Sequence, residues 1–304
     1  MNGSLDSSRD VAVIRRVTWV GFWINAMLMV LKLAVGYLGH SDALVADGYH
    51  SLSDFATDFI VLAFIGIAYK KADDDHPYGH GKYETLASLI IGVALLIVAV
   101  AIGWEGAEAF IQALNGEVLP LPDIWTLVVA IFSIISKEYL FRYTFRIGQR
   151  IDSASLRANA WHHRSDAISS IATVIGVAAS IFLGDSWRML DPIASMVIAL
   201  LIIASAVEIC RPALKELLET SLPVAQMREI EAIVEATPGV CDSHRYRSRR
   251  NGHSYVVEFH IKVDPDISVR TGHTIATETE SRLRQYLGHD LIVYVHVEPA
   301  KSGA

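Results

Sequence analysis

Cysteine is almost missing from this sequence: Cys210 and Cys241 are the only two in 304 residues. Two thiols make no disulfide framework, which excludes the small stapled folds of secreted proteins. Charge is scarce as well, at 19% of residues against 52% hydrophobic. The net charge is a modest −7. No basic stretch interleaved with aromatics occurs, so a nucleic-acid surface is not expected. His-Glu-x-x-His is also absent, which removes the zinc-hydrolase signature of two ligands and a general base. The polar opening MNGSLDSSRDVAVIRR is not followed by the small-residue cleavage site of a signal peptide, so the first helix is expected to be retained. No sequence repeat or low-complexity tract stands out.

What the chain does have is long apolar runs before about residue 210, such as LIIGVALLIVAVAIGW at 88–103. Runs near 20 residues match roughly 30 Å of hydrocarbon. Six spans are expected, at about 14–38, 41–70, 83–114, 121–150, 153–184 and 188–210. Several exceed the minimum, which implies tilt or protrusion. Arg9, Arg15, Arg16, Lys70, Lys71, Lys82, Arg142, Arg146, Arg150, Arg157, Arg211 and Lys215 fall on one side of these spans, and only Arg188 on the other. The positive side is the cytoplasm. Both termini, and both cysteines, are therefore expected on the cytoplasmic side.

After about residue 213 the pattern changes. Residues 223–236 show helical spacing, 240–249 and 253–264 read as strands, 268–287 as a second helix and 290–298 as a third strand. Asn251-Gly252 between the first two strands is a hairpin signal. The fold class expected is an α-helical membrane bundle (1–212) followed by a C-terminal cytoplasmic α+β domain of order αββαβ (213–304).

Ionisable residues inside spans are costly and face the bundle interior. His50 and Asp54 lie in the second span, His162 and Asp166 in the fifth, each pair as His-x-x-x-Asp. Residues four apart share a helix face, about 6 Å apart along the axis. Both pairs sit roughly nine residues inside a helix end, about 13 Å deep and near the bilayer centre. Two imidazoles and two carboxylates form an N2O2 set that suits tetrahedral zinc, and suits six-coordinate manganese or iron only with added waters. Asp47 and Asp58 flank the same helix, and with Lys32, Lys137 and Glu138 are read as structural groups, internally paired or snorkelling. Between spans two and three, DDDHPYGHGK at 73–82 offers Asp73, His76 and His80 at spacings of three and four, in a turn shaped by Pro77, Gly79 and Gly81.

These residues resemble the cation diffusion facilitator family. The resemblance rests on ALVADGYHSLSD (43–54), DHPYGHGKYE (75–84), HHRSD (162–166) and the soluble tail, and covers about residues 14 to 299. It implies a homodimeric, proton-coupled efflux transporter with six spans and a metallochaperone-like tail, and it implies no enzyme. It implies that His50, Asp54, His162 and Asp166 form the transport site and that Asp73, His76 and His80 form a loop site. In the tail, His244, His260, His273, His296 and Glu298 match positions that hold metals at the family's dimer interface, with Glu298 where an Asp is more usual. His253 and His289 match nothing and are expected at the surface. Lys82 matches a lysine ion-paired near the junction with the tail, and Glu219 is its expected partner. The chain lacks the long His-rich loop between spans four and five of many eukaryotic zinc members, which implies a bacterial inner membrane.

A His at the first transport-site position implies zinc, with cadmium as a surrogate. Iron or manganese efflux by the same mechanism is the alternative, and so is a membrane metal sensor or assembly protein that does not transport. Metal ligands must be deprotonated, so metal and protons compete for the site. Free imidazoles titrate near pH 6.5, which makes a proton gradient a usable driving force. Four strong ligands argue against a fast-conducting channel.

Overall fold

The computed structural model describes residues 3–68, 70, 72–150, 154–252, 254–288 and 291–301, with the backbone alone at 3–12, 14–15, 57–66, 68, 154–155 and 158. The described elements run α1 (Gly3–Leu38), α2 (Asp42–Ala68), α3 (Lys82–Leu114), α4 (Ile124–Arg150), α5 (Ala154–Phe182), a 3-10 turn (Asp185–Trp187), α6 (Leu190–Leu217), α7 (Val224–Glu235), β1 (Asp242–Asn251), β2 (Ser254–Val263), α8 (Val269–Leu287) and β3 (Leu291–Pro299). Five of the described helices, α1 and α3 to α6, contain stretches long and apolar enough to cross a membrane. The remaining long helix, α2, has 27 residues and carries Asp47, His50 and Asp54 along its apolar course. A helical transmembrane domain followed by a tail with a small sheet is therefore the fold.

Two element ends differ from expectation. The first helix begins at Gly3 rather than near 14, and the sixth ends at Leu217 rather than 210. Hydropathy marks where a helix meets lipid, whereas a helix continues through polar residues for as long as its backbone bonds are made. Residues 211–217 (RPALKEL) bring in Arg211, Lys215 and Glu216 past the apolar run, and the helix continues through them with Pro212 inside it at the loss of one hydrogen bond.

The chain divides into two compact units, Met1–Phe59 with Ile91–Glu208, and Ile60–Ile90 with Ile209–Ala304. In the first unit, buried Ala43, Leu44 and Ala46 of α2 belong to three separate packing clusters, which draw on α1, α3, α4, α5 and α6. Lipid supplies no hydrophobic force between helices, so van der Waals packing at small residues holds them together instead. A Cβ on Gly36 would lie 2.8 Å from Val45, one on Gly48 2.7 Å from Leu33, and one on Gly176 2.7 Å from Ala194. The outward face is apolar, with Trp23, Ile97, Trp104, Ile135 and Leu200 all exposed.

In the second unit, β2 is the central strand, antiparallel to β1 and parallel to β3. The parallel pair requires a crossover, and α8 provides it. Val257, Phe259, Ile261 and Val263 of β2 join Ile230 and Val234 of α7, Leu283 of α8 and Leu291 of β3 in one core. Gly252 takes a left-handed φ of 60° at the tip of the β1–β2 hairpin, one residue later than the Asn-Gly signal centres it, since Asn251 still pairs with Ser254.

Candidate metal-binding site

The first turn of α2 is capped from another helix. Ser41 donates to Asp191 of α6 at 2.8 Å and accepts from the Leu44 amide at 3.1 Å. The same carboxylate accepts from the Asp42 amide at 2.6 Å and the Ala43 amide at 3.3 Å. A helix start inside an apolar bundle has no water to satisfy its free N–H groups, so a carboxylate from a neighbour does it. This cap anchors the first turn of α2, the helix that carries His50 and Asp54.

His50 and Asp54 of α2 and Asp166 of α5 each place a ligand atom within 4.8 Å of one another. His50 and Asp166 are buried, and the His50 Nδ1 has no hydrogen-bond partner among the described residues. His162 stands at the rim. Its ring nitrogens are 3.9 Å from Asp54 and 3.8 Å from Asp166, and its side chain is 52% exposed. The helical spacing thus brings all four expected residues to one place, three close together and one at the edge.

Two charged groups expected only as structural elements border this site. Lys32 of α1 is fully buried, 2.9 Å from Asp47 and bonded to Ser51 at 3.1 Å and Ser170 at 3.4 Å. Ser170 in turn donates to Asp47 at 3.1 Å. Lys137 of α4 is also buried, and its Nζ lies 3.2 Å from Asp166 Oδ2. Glu138, next to it, instead pairs with Arg142 at 2.7 Å. A further residue, His163, escaped sequence reading: it is buried, and neither ring nitrogen has a hydrogen-bond partner among the described residues. Adjacent helix positions point about 100° apart, so the doublet His162-His163 carried a signal of two different faces.

In the second unit, Asp73, His76 and His80 converge within 4.8 Å. Asp73 accepts from the His76 amide at 2.9 Å and the Lys70 ammonium at 2.7 Å. The Lys70 bond is the main reason its carboxyl is held down at about 2. Lys82 and Glu219 are ion-paired, and Arg249 meets the other Glu219 oxygen at 3.1 Å.

The tail histidines form a rung. His244 on β1, His260 on β2 and His296 on β3 are direct register partners across the whole sheet. Glu298, two residues along β3 from His296, bonds His260 Nδ1 at 2.7 Å and lies 3.3 Å from His244 and 3.7 Å from His296. The His260 bond chiefly holds the Glu298 carboxyl below the usual range. His273 is exposed on α8 and is not among the residues gathered here. The side chain of Asp58, and His253 and His289 altogether, lie outside the described residues.

Comparison with known proteins gives one family across the chain. The model described as cation efflux transmembrane domain matches residues 18–218, and that of the cation efflux protein cytoplasmic domain matches 222–300. The manganese efflux system protein MneP of Bacillus subtilis is 34% identical over 96% of this chain and 98% of its own. Metal tolerance protein C1 of Arabidopsis thaliana is 35% identical over 92% of this chain and 61% of its own. Among solved structures, one titled for the putative zinc transporter CzrB covers 26% of this chain and 98% of its own at 30% identity, with a TM-score of 0.25.

Proposed function

Since the chain belongs to the cation diffusion facilitator family of membrane metal-efflux transporters, we propose that it exports a divalent transition metal, zinc first, from the cytoplasm in exchange for protons. The observation that carries this reading is the convergence of His50, Asp54 and Asp166, with His162 at the rim. Two imidazoles and two carboxylates complete a tetrahedral zinc shell without added water. The four residues come from two helices only. A shift of α5 against α2 therefore makes or breaks the whole set, which is what alternating access around a midplane site needs.

Proton coupling follows from the chemistry of the same ligands. An imidazole or carboxylate that binds a proton cannot bind metal, so protons entering from outside displace the ion. One pH unit across the membrane supplies about 1.4 kcal/mol per proton exchanged. The bacterial inner membrane, with both termini cytoplasmic, is the location this reading assigns. The loop cluster of Asp73, His76 and His80 and the tail rung with Glu298 are accessory cytoplasmic metal sites in this reading, and the tail joins two copies of the chain through a surface that includes His273. Lys82 and Glu219 hold the loop to the tail.

Manganese is the second reading, favoured by the name of the Bacillus relative MneP. The deciding experiment loads proteoliposomes with a metal-sensitive dye, imposes a pH step and adds zinc, manganese or ferrous iron in turn. Zinc flux that follows the pH gradient and is lost in Asp54→Ala and Asp166→Ala supports the proposal. Manganese flux without zinc flux replaces the metal. Failure of every metal to move through a folded, metal-binding protein removes transport and leaves a sensor or assembly role.

A further inference from the structure

The first unit buries two lysines, each beside an aspartate, and they differ in the hydrogen bonds that surround them. Lys32 faces three oxygens, of Asp47, Ser51 and Ser170, at 2.9, 3.1 and 3.4 Å. It donates to the two hydroxyls and pairs ionically with Asp47, and this group ties α1 to α2 and α5. Lys137 is just as buried, yet its Nζ makes no hydrogen bond among the described residues. Its ion-pair partner among the described residues is Asp166 Oδ2 at 3.2 Å, and that oxygen also lacks a hydrogen bond among them. A buried pair with such incomplete bonding gains little over an apolar side chain of similar volume. Stability of the bundle therefore gives no reason for an ammonium at this position.

Its placement gives one. Asp166 presents Oδ2 to Lys137, while a ligand atom of the same carboxylate lies within 4.8 Å of His50 and Asp54. A divalent ion bound at about 2 Å from a carboxylate oxygen and an ammonium on the same carboxylate repel each other at short range.

We propose that Lys137 is a tethered cation of the transport site: it occupies Asp166 when the metal is absent, is displaced when the ion binds, and keeps the metal affinity low enough for release. Lys137 is a positioning residue here, acting on the metal through Asp166. The proposal rests on the reading of His50, Asp54, His162 and Asp166 as the transport site. It goes beyond that reading by assigning a cost of binding to a group that is no ligand. A site of four ligands with nothing opposing the ion would load readily and unload slowly, and the tethered charge shifts that balance.

The test titrates zinc chloride calorimetrically into the full-length protein in detergent, as wild type, Asp54→Asn, Lys137→Met, Lys137→Gln and Lys137→Arg. The class of sites lost in Asp54→Asn is the transport site. Both neutral variants should bind zinc in that class about tenfold more tightly or better, and Lys137→Arg should keep the wild-type value. In proteoliposomes the neutral variants should show a lower KM together with a lower kcat for zinc. A merely structural lysine predicts weaker binding or no change on removal. Unchanged or weakened zinc affinity in both neutral variants overturns the tethered cation while leaving the transport site standing. An Asp54→Asn protein that titrates like the wild type removes the transport-site reading, and this proposal with it.

Discussion

Gly81 and Gly252 touch backbone to backbone. A Cβ on Gly252 would lie 2.6 Å from the Cα of Gly81, and one on Gly81 would lie 2.6 Å from the carbonyl oxygen of Asn251. Around this contact the Asn251 side-chain Nδ2 donates to the Tyr78 carbonyl at 2.8 Å, and the Gly252 backbone amide donates to Glu216 at 2.6 Å. Thr85 donates to the same Glu216 oxygen at 2.7 Å. The loop that carries Asp73, His76 and His80 is thus held directly against the turn of the tail hairpin.

Alanine at position 252 should break this contact. It meets the Gly81 backbone and must adopt a left-handed φ of 60°, which L side chains rarely take. Strain of this kind costs roughly 1–3 kcal/mol. Thermal unfolding of the full-length protein should show a lower midpoint for the variant, with faster proteolysis in the 72–82 loop. Equal midpoints and equal cleavage rates would refute the contact as a constraint.

Phe259 should be among the most sensitive core positions of the tail. It is buried in the sheet core beside Ile230, Val234 and Leu283 and stacks on Tyr246 at 5.4 Å. Phe259→Ala should cost about 3–5 kcal/mol, more than a small sheet can absorb. Loss of the strand signal at lower urea than in the wild type, followed by circular dichroism of the full-length protein, is the expected result.

The candidate transport ligands differ in exposure, and their substitutions should differ in effect. Asp54→Asn and Asp166→Asn each remove a carboxylate from the convergent group and should lower zinc transport by about 100-fold or more, the upper range for loss of groups supporting a metal site. His162→Ala removes the rim residue and should act more on KM than on kcat. Initial rates over a range of zinc concentrations in proteoliposomes separate the two patterns. Equal losses for His162 and Asp54 would place His162 inside the site rather than at its edge.

The loop carboxylate gives a pH prediction. The Lys70 ammonium is the chief reason the Asp73 pKa is depressed to about 2. A carboxyl depressed on folding stabilises the folded form above its ordinary range near 3.9, and that contribution is lost as pH falls toward about 2. Lys70→Met should raise the Asp73 titration midpoint toward the ordinary value. Carbon-13 NMR of labelled aspartate reads the midpoint directly, and an unmoved resonance would remove Lys70 as the cause.

Much of this architecture is legible from residue spacing alone. Strand β2 shows its alternation, Asn251-Gly252 its turn, and His50 with Asp54 its helical face. His162 and Asp166 follow the same rule on α5. What spacing within one helix cannot carry is contact between helices. Lys137 and Asp166 are 29 residues apart on different helices, and no periodicity announces their meeting. The same limit hides Asp191 as the cap of α2, since a capping residue is sought beside its helix and here comes from α6. The histidine rung was visible only as separate histidines, because register between β2 and β3 is set by the α8 crossover and not by a turn.

The exposed position of His162 bears on how an ion would enter the proposed site. A hydrated ion gives up its water one molecule at a time, and each departure needs a replacement donor already in place. With one imidazole reaching into open space and three donors behind it, the first exchange takes place while the ion still keeps most of its shell. Selection then begins at a single nitrogen. An ion that binds nitrogen poorly would be turned back at the threshold, before the carboxylates, which attract any divalent cation, come into play. In the proposed site the rim histidine would act as a kinetic sieve ahead of the thermodynamic one.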